Sequence, residues 1–242
     1  MGKASHDGAI FLVLLIYVSE MERVNVYVDG FNFYYGLKNM KKMDNEWQKF
    51  YWLNYVSFFE QFIGENQILQ KVIYFAAPPP VDADVKNRQK LLFNANKLLN
   101  PERFEVVMGK FYKKTLKCKV CKAKYYAYEE KQTDVNIAIR LVRDSFLDCV
   151  DTLVLVSADS DLVPPLKLIK ELYPDKKIRV YFPPGNISIA LEKFMKSNKK
   201  PVVWLENNKQ RFSYSVMPDT VTVGETSYTI PPKWQSHQPV SQ

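Results

Sequence analysis

Val24, Val26 and Val28 recur every second residue in RVNVYVDG, and the Asp-Gly pair that follows closes the run, so this stretch reads as a strand ending in a turn. An aromatic-rich stretch comes next, FNFYYGLK and then FYWLNYVSFFEQFI, in which Trp52, Val56, Phe59 and Ile63 recur at helical spacing. The run QKVIYFA predicts a second strand, ended by Pro78, Pro79 and Pro80. A charged helix follows in DADVKNRQKLLFNANKLL, with Val85, Leu91, Leu92 and Leu98 available to a core, and FEVVM predicts a short third strand. The second half keeps the rhythm: helix TDVNIAIRLVRDSF, strand TLVLVS, helix LVPPLKLIKELY, strand KIRVYF, helix ISIALEKFM and a short apolar piece VVWL.

Strands alternating with helices predict an α/β fold with a parallel sheet covered on both faces, which is why TLVLV is apolar throughout. Residues 21–205 form the expected domain, with an insertion at 109–128. Beyond 206 the helical period is lost, and RFSYSVMPDTVTVGETSYTIPPKW suggests a small hairpin within a C-terminal tail, 206–242. At the other end, the apolar run AIFLVLLIYV, 9–18, is shorter than the roughly 20 residues a spanning helix needs, and no small-residue cleavage pattern follows it. Residues 1–20 therefore read as an upstream extension or a misassigned start ahead of Met21, and no membrane association is expected.

A chain of 242 residues with 47% apolar content can bury one substantial core. Its 34 lysines and arginines exceed its 26 acidic residues by 8, which makes polyanions natural partners wherever the charge is concentrated. Three cysteines do not make a disulfide framework, and a reduced, cytoplasmic setting is the expectation. The only histidines, His6 and His237, stand in the two predicted tails, so histidine acid–base catalysis is not expected.

Chemistry concentrates at the carboxyl ends of the predicted strands, where doubly wound sheets bind their ligands. Asp29 ends the first strand, Asp159 and Asp161 follow TLVLV in VSADSD, and Asp134 opens the helix TDVNIAIRL. Each alone has a local explanation: Asp29 a turn, Asp134 a charge favoured by the helix dipole, Asp159 and Asp161 a cap on the helix after Leu162. Together at one edge they would repel one another, a cost that a divalent cation removes, and all-oxygen ligation suits magnesium or manganese.

The segments VYVDGFNFY at 26–34, EEKQTDVNIAIRLVRD at 129–144 and LVLVSADSDLVPPLKLIK at 153–170 resemble, in this order, the NYN domains of the PIN-like nuclease superfamily, near the LabA-like subgroup. The resemblance covers roughly residues 22–205. It implies a three-layer α/β/α sandwich with strand order 3-2-1-4-5, which makes the first and fourth strands neighbours. It also implies a magnesium- or manganese-dependent nuclease that hydrolyses RNA with metal-activated water. Carried over by residue, Asp29, Asp134, Asp159 and Asp161 look like the acidic metal positions, Asn32 like the amide beside metal-bound water or phosphate, and Ser157 like a site hydroxyl. Lys131 would approach the substrate phosphate. Ala158 stands where many relatives have glycine, a departure that still leaves room for a close turn. PIN-like relatives often pair, so a homodimer belongs to the same expectation.

The basic charge collects in GKFYKKTLKCKVCKAKYYAYEEK, where Lys110, Lys113 and Lys114 stand beside Tyr112, and four more lysines precede Tyr125 and Tyr126. Lysines for phosphates and rings for unpaired bases suit a single-stranded RNA groove; the other reading is a solvated hairpin with its aromatics in the core. Cys118 and Cys121 are half of a structural zinc site, and zinc there would need a second copy or unusual ligands. Three other functions compete. One is an RNA-binding module without turnover. Another is a nucleotide-sugar transferase using Asp159-Ser160-Asp161, and the last is a haloacid-dehalogenase-type phosphatase, which would want an aspartate where Phe31 stands.

Overall fold

The computed structural model describes residues 21–80 and 82–235, so the apolar run at 9–18 and both histidines lie outside the described residues. The chain runs through β1 (Glu22–Asp29), α1 (Gly30–Met43), α2 (Tyr55–Glu60), β2 (Gln67–Ala76), α3 (Ala83–Leu99) and β3 (Phe104–Met108). A projecting hairpin, β4 (Lys110–Lys117) and β5 (Lys124–Lys131), leads into α4 (Thr133–Phe146). Then come β6 (Thr152–Val156), α5 (Val163–Leu172), β7 (Lys177–Phe182), α6 (Ile189–Ser197), β8 (Val203–Trp204), α7 (Lys209–Tyr214) and the pair β9 (Thr220–Val223) and β10 (Thr226–Thr229).

Six strands make one parallel sheet, ordered β3-β2-β1-β6-β7-β8. Counting these strands along the chain, the order is 3-2-1-4-5 with a sixth strand, the VVWL piece, added beyond β7. Successive side chains of a strand point to opposite faces. Val24, Val26 and Val28 enter the layer under α1, α2 and α3, while Tyr27 enters the other layer with Ile137 and Leu141 of α4, Leu166 of α5 and Leu191 of α6. Because both faces are covered, a central strand such as β6 is buried at every position.

The helical spacing from Trp52 to Ile63 does not become one helix. A 3-10 turn spans Asn45–Tyr51, and α2 starts only at Tyr55, with Asn54 accepting from the Ser57 backbone N–H at 3.1 Å. Between them the chain is held extended by the C-terminal segment: Leu53 bridges Val216, and the Trp52 indole N–H donates to the Pro218 carbonyl at 2.9 Å. A tertiary partner here outweighs local propensity.

The region expected as a C-terminal tail contains the hairpin β9–β10, and it also supplies core residues. Phe212 is fully buried with its ring centroid 4.2 Å from Phe58 and 5.1 Å from Phe50, and Trp234 packs on Tyr51 at 5.8 Å. Among the described residues no helix is long and apolar enough to cross a membrane.

Candidate active site

Register places the site. Val28 of β1 lies opposite Val156 of β6, so Asp29 and Ser157, the next residues, emerge side by side. Both share the parity of Tyr27 and Leu155 and so belong to the face covered by α4, the helix that carries Asp134 in its first turn.

Asp29 is 2% exposed and caps α1. Its Oδ1 accepts from the Asn32 backbone N–H at 3.0 Å, and its Oδ2 accepts from the Asn32 amide at 2.5 Å and from Ser157 Oγ at 2.8 Å. Ser157 Oγ in turn accepts from the Asp159 backbone N–H at 3.0 Å, and Asp159 Oδ1 accepts from the Asp161 N–H at 2.8 Å, capping the 3-10 turn Ser160–Leu162 ahead of α5. The capping roles are thus real for Asp29 and Asp159. They engage the carboxylates without supplying any positive charge.

Asp134 is different: it caps nothing, and Gln132, which turns the chain into α4 at φ 82°, makes no side-chain cap of its own. Burial pushes the Asp134 carboxyl up to about 6, and Asp159, Asp29, Glu130 and Asp161 add to the rise. Burial likewise raises the Asp29 carboxyl, against the hydrogen bonds from Asn32 and Ser157, and Asp159 raises it further. Among the described residues none of the four aspartates is paired with a lysine or arginine; Lys131 is exposed and turned to Glu129 at 2.5 Å.

Two further residues belong to this neighbourhood. Glu130 accepts from the Thr133 backbone N–H at 3.2 Å and from the Thr133 hydroxyl, which fixes the junction of β5 and α4 beside Asp134. Its signal was the second glutamate of EEK, two residues before the QTD turn. Asn186, in the loop after β7, donates from its amide to the Asn32 carbonyl at 2.8 Å and ties the start of α1 to that loop. No local pattern marks Asn186, because the contact depends on how two distant loops meet.

The donors are all oxygens with uncompensated negative charge, which fits a hard divalent cation. Among the described residues no three Asp, Glu, His or Cys side chains already converge as a finished ligand set. A divalent cation that prefers oxygen is the group these side chains would take. Asp29, Asp134, Asp159 and Asp161 are the residues that could hold it. Cys118 and Cys121 are free thiols at the tip of the β4–β5 hairpin, and the N–H groups of Cys121 and Val120 hold the Cys118 thiol below its ordinary range.

The hairpin is a regular antiparallel ladder from Lys110 opposite Lys131 to Lys117 opposite Lys124. Its rings face solvent: Tyr112, Tyr125, Tyr126 and Tyr128 are all exposed, so the reading that put them in the core does not hold. Phe111 alone turns inward, 5.9 Å from the ring of Phe31 beside Asp29. Lys113 lies over Tyr126 at 3.5 Å, and Lys114 pairs with Glu129.

Among curated proteins, the chain is 27% identical over 197 residues to 6-hydroxy-3-succinoylpyridine 3-monooxygenase HspA of Pseudomonas putida (strain DSM 28022 / S16), covering 68% of this chain. It spans 61% of that relative's length. Among solved structures, a protein of unknown function from Vibrio parahaemolyticus RIMD 2210633 aligns with TM-score 0.45 and 22% identity over 72% of this chain and 89% of the other. The family model of the NYN domain matches residues 23–197, which contain every aspartate of the site. The chain belongs to the NYN domain family, a branch of the PIN-like nuclease superfamily.

Proposed function

We propose that this protein is a magnesium- or manganese-dependent ribonuclease, with Asp29, Asp134 and Asp159 holding the cation directly or through water and Asp161 and Asn32 completing its surroundings. The observation that carries the reading is geometric: Ser157 ties Asp29 to the Asp159 backbone at the ends of two adjacent strands, and no basic side chain pairs with either aspartate among the described residues. The elevated carboxyls of Asp29 and Asp134 support it, because stored repulsion of this kind is what cation binding relieves. When bound, a divalent ion supplies charge neutralisation at the phosphate and an acidified water. The chain's own contribution is positional. Ser157 and Asn32 fix the Asp29 carboxylate in one orientation, and Asn32 is itself anchored by Asn186.

Lys110, Lys113, Lys114, Lys131 and Tyr112 are the proposed RNA contacts. Lys110 and Lys131 stand directly opposite one another on the ladder, where like charges carry a cost that one carboxylate, Glu129, shared by Lys131 and Lys114, offsets only in part. A polyanionic strand along the hairpin removes that cost. Labelled single-stranded RNA incubated with and without magnesium tests the proposal. Asp159→Asn, which keeps a capping side chain, should lower cleavage by about a hundredfold or more while leaving RNA binding intact. Undiminished turnover in that variant rejects the mechanism. A second reading, an RNA-binding module without turnover, draws on the lack of a converged ligand set among the described residues. Magnesium-independent RNA binding with no cleavage by wild-type protein would establish it.

A further inference from the structure

A second feature adjoins the carboxylates at the start of α1. Residues 29, 30 and 31 are consecutive: Asp29 serves the acidic site, while Gly30 and Phe31 line an apolar cavity of about 160 Å³. Its walls come from distant parts of the chain, with Tyr34 from α1, Tyr74 from β2, Phe93 from α3, Phe111 from the basic hairpin and Trp234 from the C-terminal segment. The rings hold one another in place, and one is backed by the core. Tyr74 packs on Phe93 at 5.3 Å, Trp234 on Tyr51 at 5.8 Å, and Phe31 on Phe111 at 5.9 Å. The cavity floor touches the acidic site itself: the Tyr74 hydroxyl donates to the Gly30 carbonyl at 3.3 Å, and the Asp29 charge acts on that hydroxyl. A Cβ at position 30 would stand 2.3 Å from the Tyr74 ring, so only glycine lets the floor and the acidic site meet.

Size and chemistry narrow the occupant. Drug-sized ligands fill cavities of roughly 300–1,000 Å³, so this one accommodates about one ring system. Aromatic walls favour a planar guest with polarisable faces. Gln89, whose amide nitrogen donates to the Ala77 carbonyl at 3.2 Å, contributes the polar group at the wall. Phe111 joins the wall to the lysine-rich hairpin, where Lys110 and Lys113 stand one and two residues away in the chain and attract phosphates.

We infer that this aromatic cavity receives one unstacked nucleobase of the RNA strand, next to the phosphate that is cleaved at the acidic site. The assignment rests on the ribonuclease reading for its substrate, and it adds a base-binding subsite formed by Phe31, Tyr34, Phe93, Phe111 and Trp234. Stacking of this kind tolerates any base, so the subsite sets the position of cleavage relative to a flipped-out base more than its sequence.

Ligand-detected NMR on the full chain, without RNA or divalent metal, tests the subsite separately from the nuclease activity. Adenosine and uridine should bind saturably and ribose 5-phosphate should not. Phe111→Ala should weaken nucleoside binding by about tenfold or more. Val85→Trp, which fills the cavity from α3, should block it while thermal unfolding stays cooperative. Binding of ribose 5-phosphate as strong as that of the nucleosides, absence of nucleoside binding, or binding that survives Val85→Trp overturns the subsite. RNA cleavage with no nucleoside binding overturns the subsite and leaves the nuclease; nucleoside binding with no RNA cleavage does the reverse.

Discussion

Ser157 and Asp29, 128 residues apart in the chain, are joined by a 2.8 Å hydrogen bond from the serine hydroxyl to Oδ2 of the buried carboxylate. The same hydroxyl accepts from the Asp159 N–H, so one oxygen aligns both strand ends of the acidic site. Ser157→Ala should destabilise the fold by about 2 kcal/mol, because a bond to a charged, buried acceptor is lost. The Asp29 carboxyl should rise further, and magnesium affinity should fall with it. Urea unfolding and magnesium calorimetry measure the two effects; a variant with unchanged stability would show that Ser157 only fills space.

The Asp134 carboxyl, at about 6 against an ordinary 3.8, holds its proton more tightly in the folded state than in the unfolded state. Between those values the folded protein carries the extra proton, so this group's stabilising contribution is complete below about 4 and is lost as pH rises through 6. Half-exposure screens the effect to about 1 kcal/mol. Asp134→Asn should therefore gain about that much at pH 7 and nothing at pH 4. Magnesium should reverse the order at pH 7 by stabilising wild type more than the variant, which thermal melts with and without the ion will read.

Salt dependence reports on the hairpin. If Lys113 and Lys114 each neutralise a phosphate of single-stranded RNA, replacing both with alanine should flatten the log–log salt slope of binding by roughly 1.4. An unchanged slope would place the RNA elsewhere on the molecule.

The C-terminal segment should behave as core. Phe212→Ala should cost about 3–5 kcal/mol, the range for emptying a fully buried aromatic site. A loss below about 1 kcal/mol in urea unfolding would mean that α7 detaches without consequence.

Much of the architecture was legible before any coordinates. Runs such as TLVLV and KIRVYF, separated by helical periods, require a parallel sheet with two covered faces, and the residues that end them put Asp29 and Asp159 at one edge. Glu130 is not marked by EEK alone, because its relevance comes from the turn at Gln132 that brings the end of β5 against the start of α4. The break at Trp52–Asn54 was invisible for a similar reason: the spacing is helical, and only the partners Val216 and Pro218 pull it straight.

Sequence alone determined which residues alternate, where each strand stops and which acidic side chains stand at those stops, since these are consequences of neighbours within a few positions. Tertiary structure decided that Ser157 serves two carboxylate segments, that Phe212 and Trp234 close the core, and that rings from five segments surround one cavity. Each of those depends on which distant part of the chain fills a given space, and close packing settles that only when all the layers are in place.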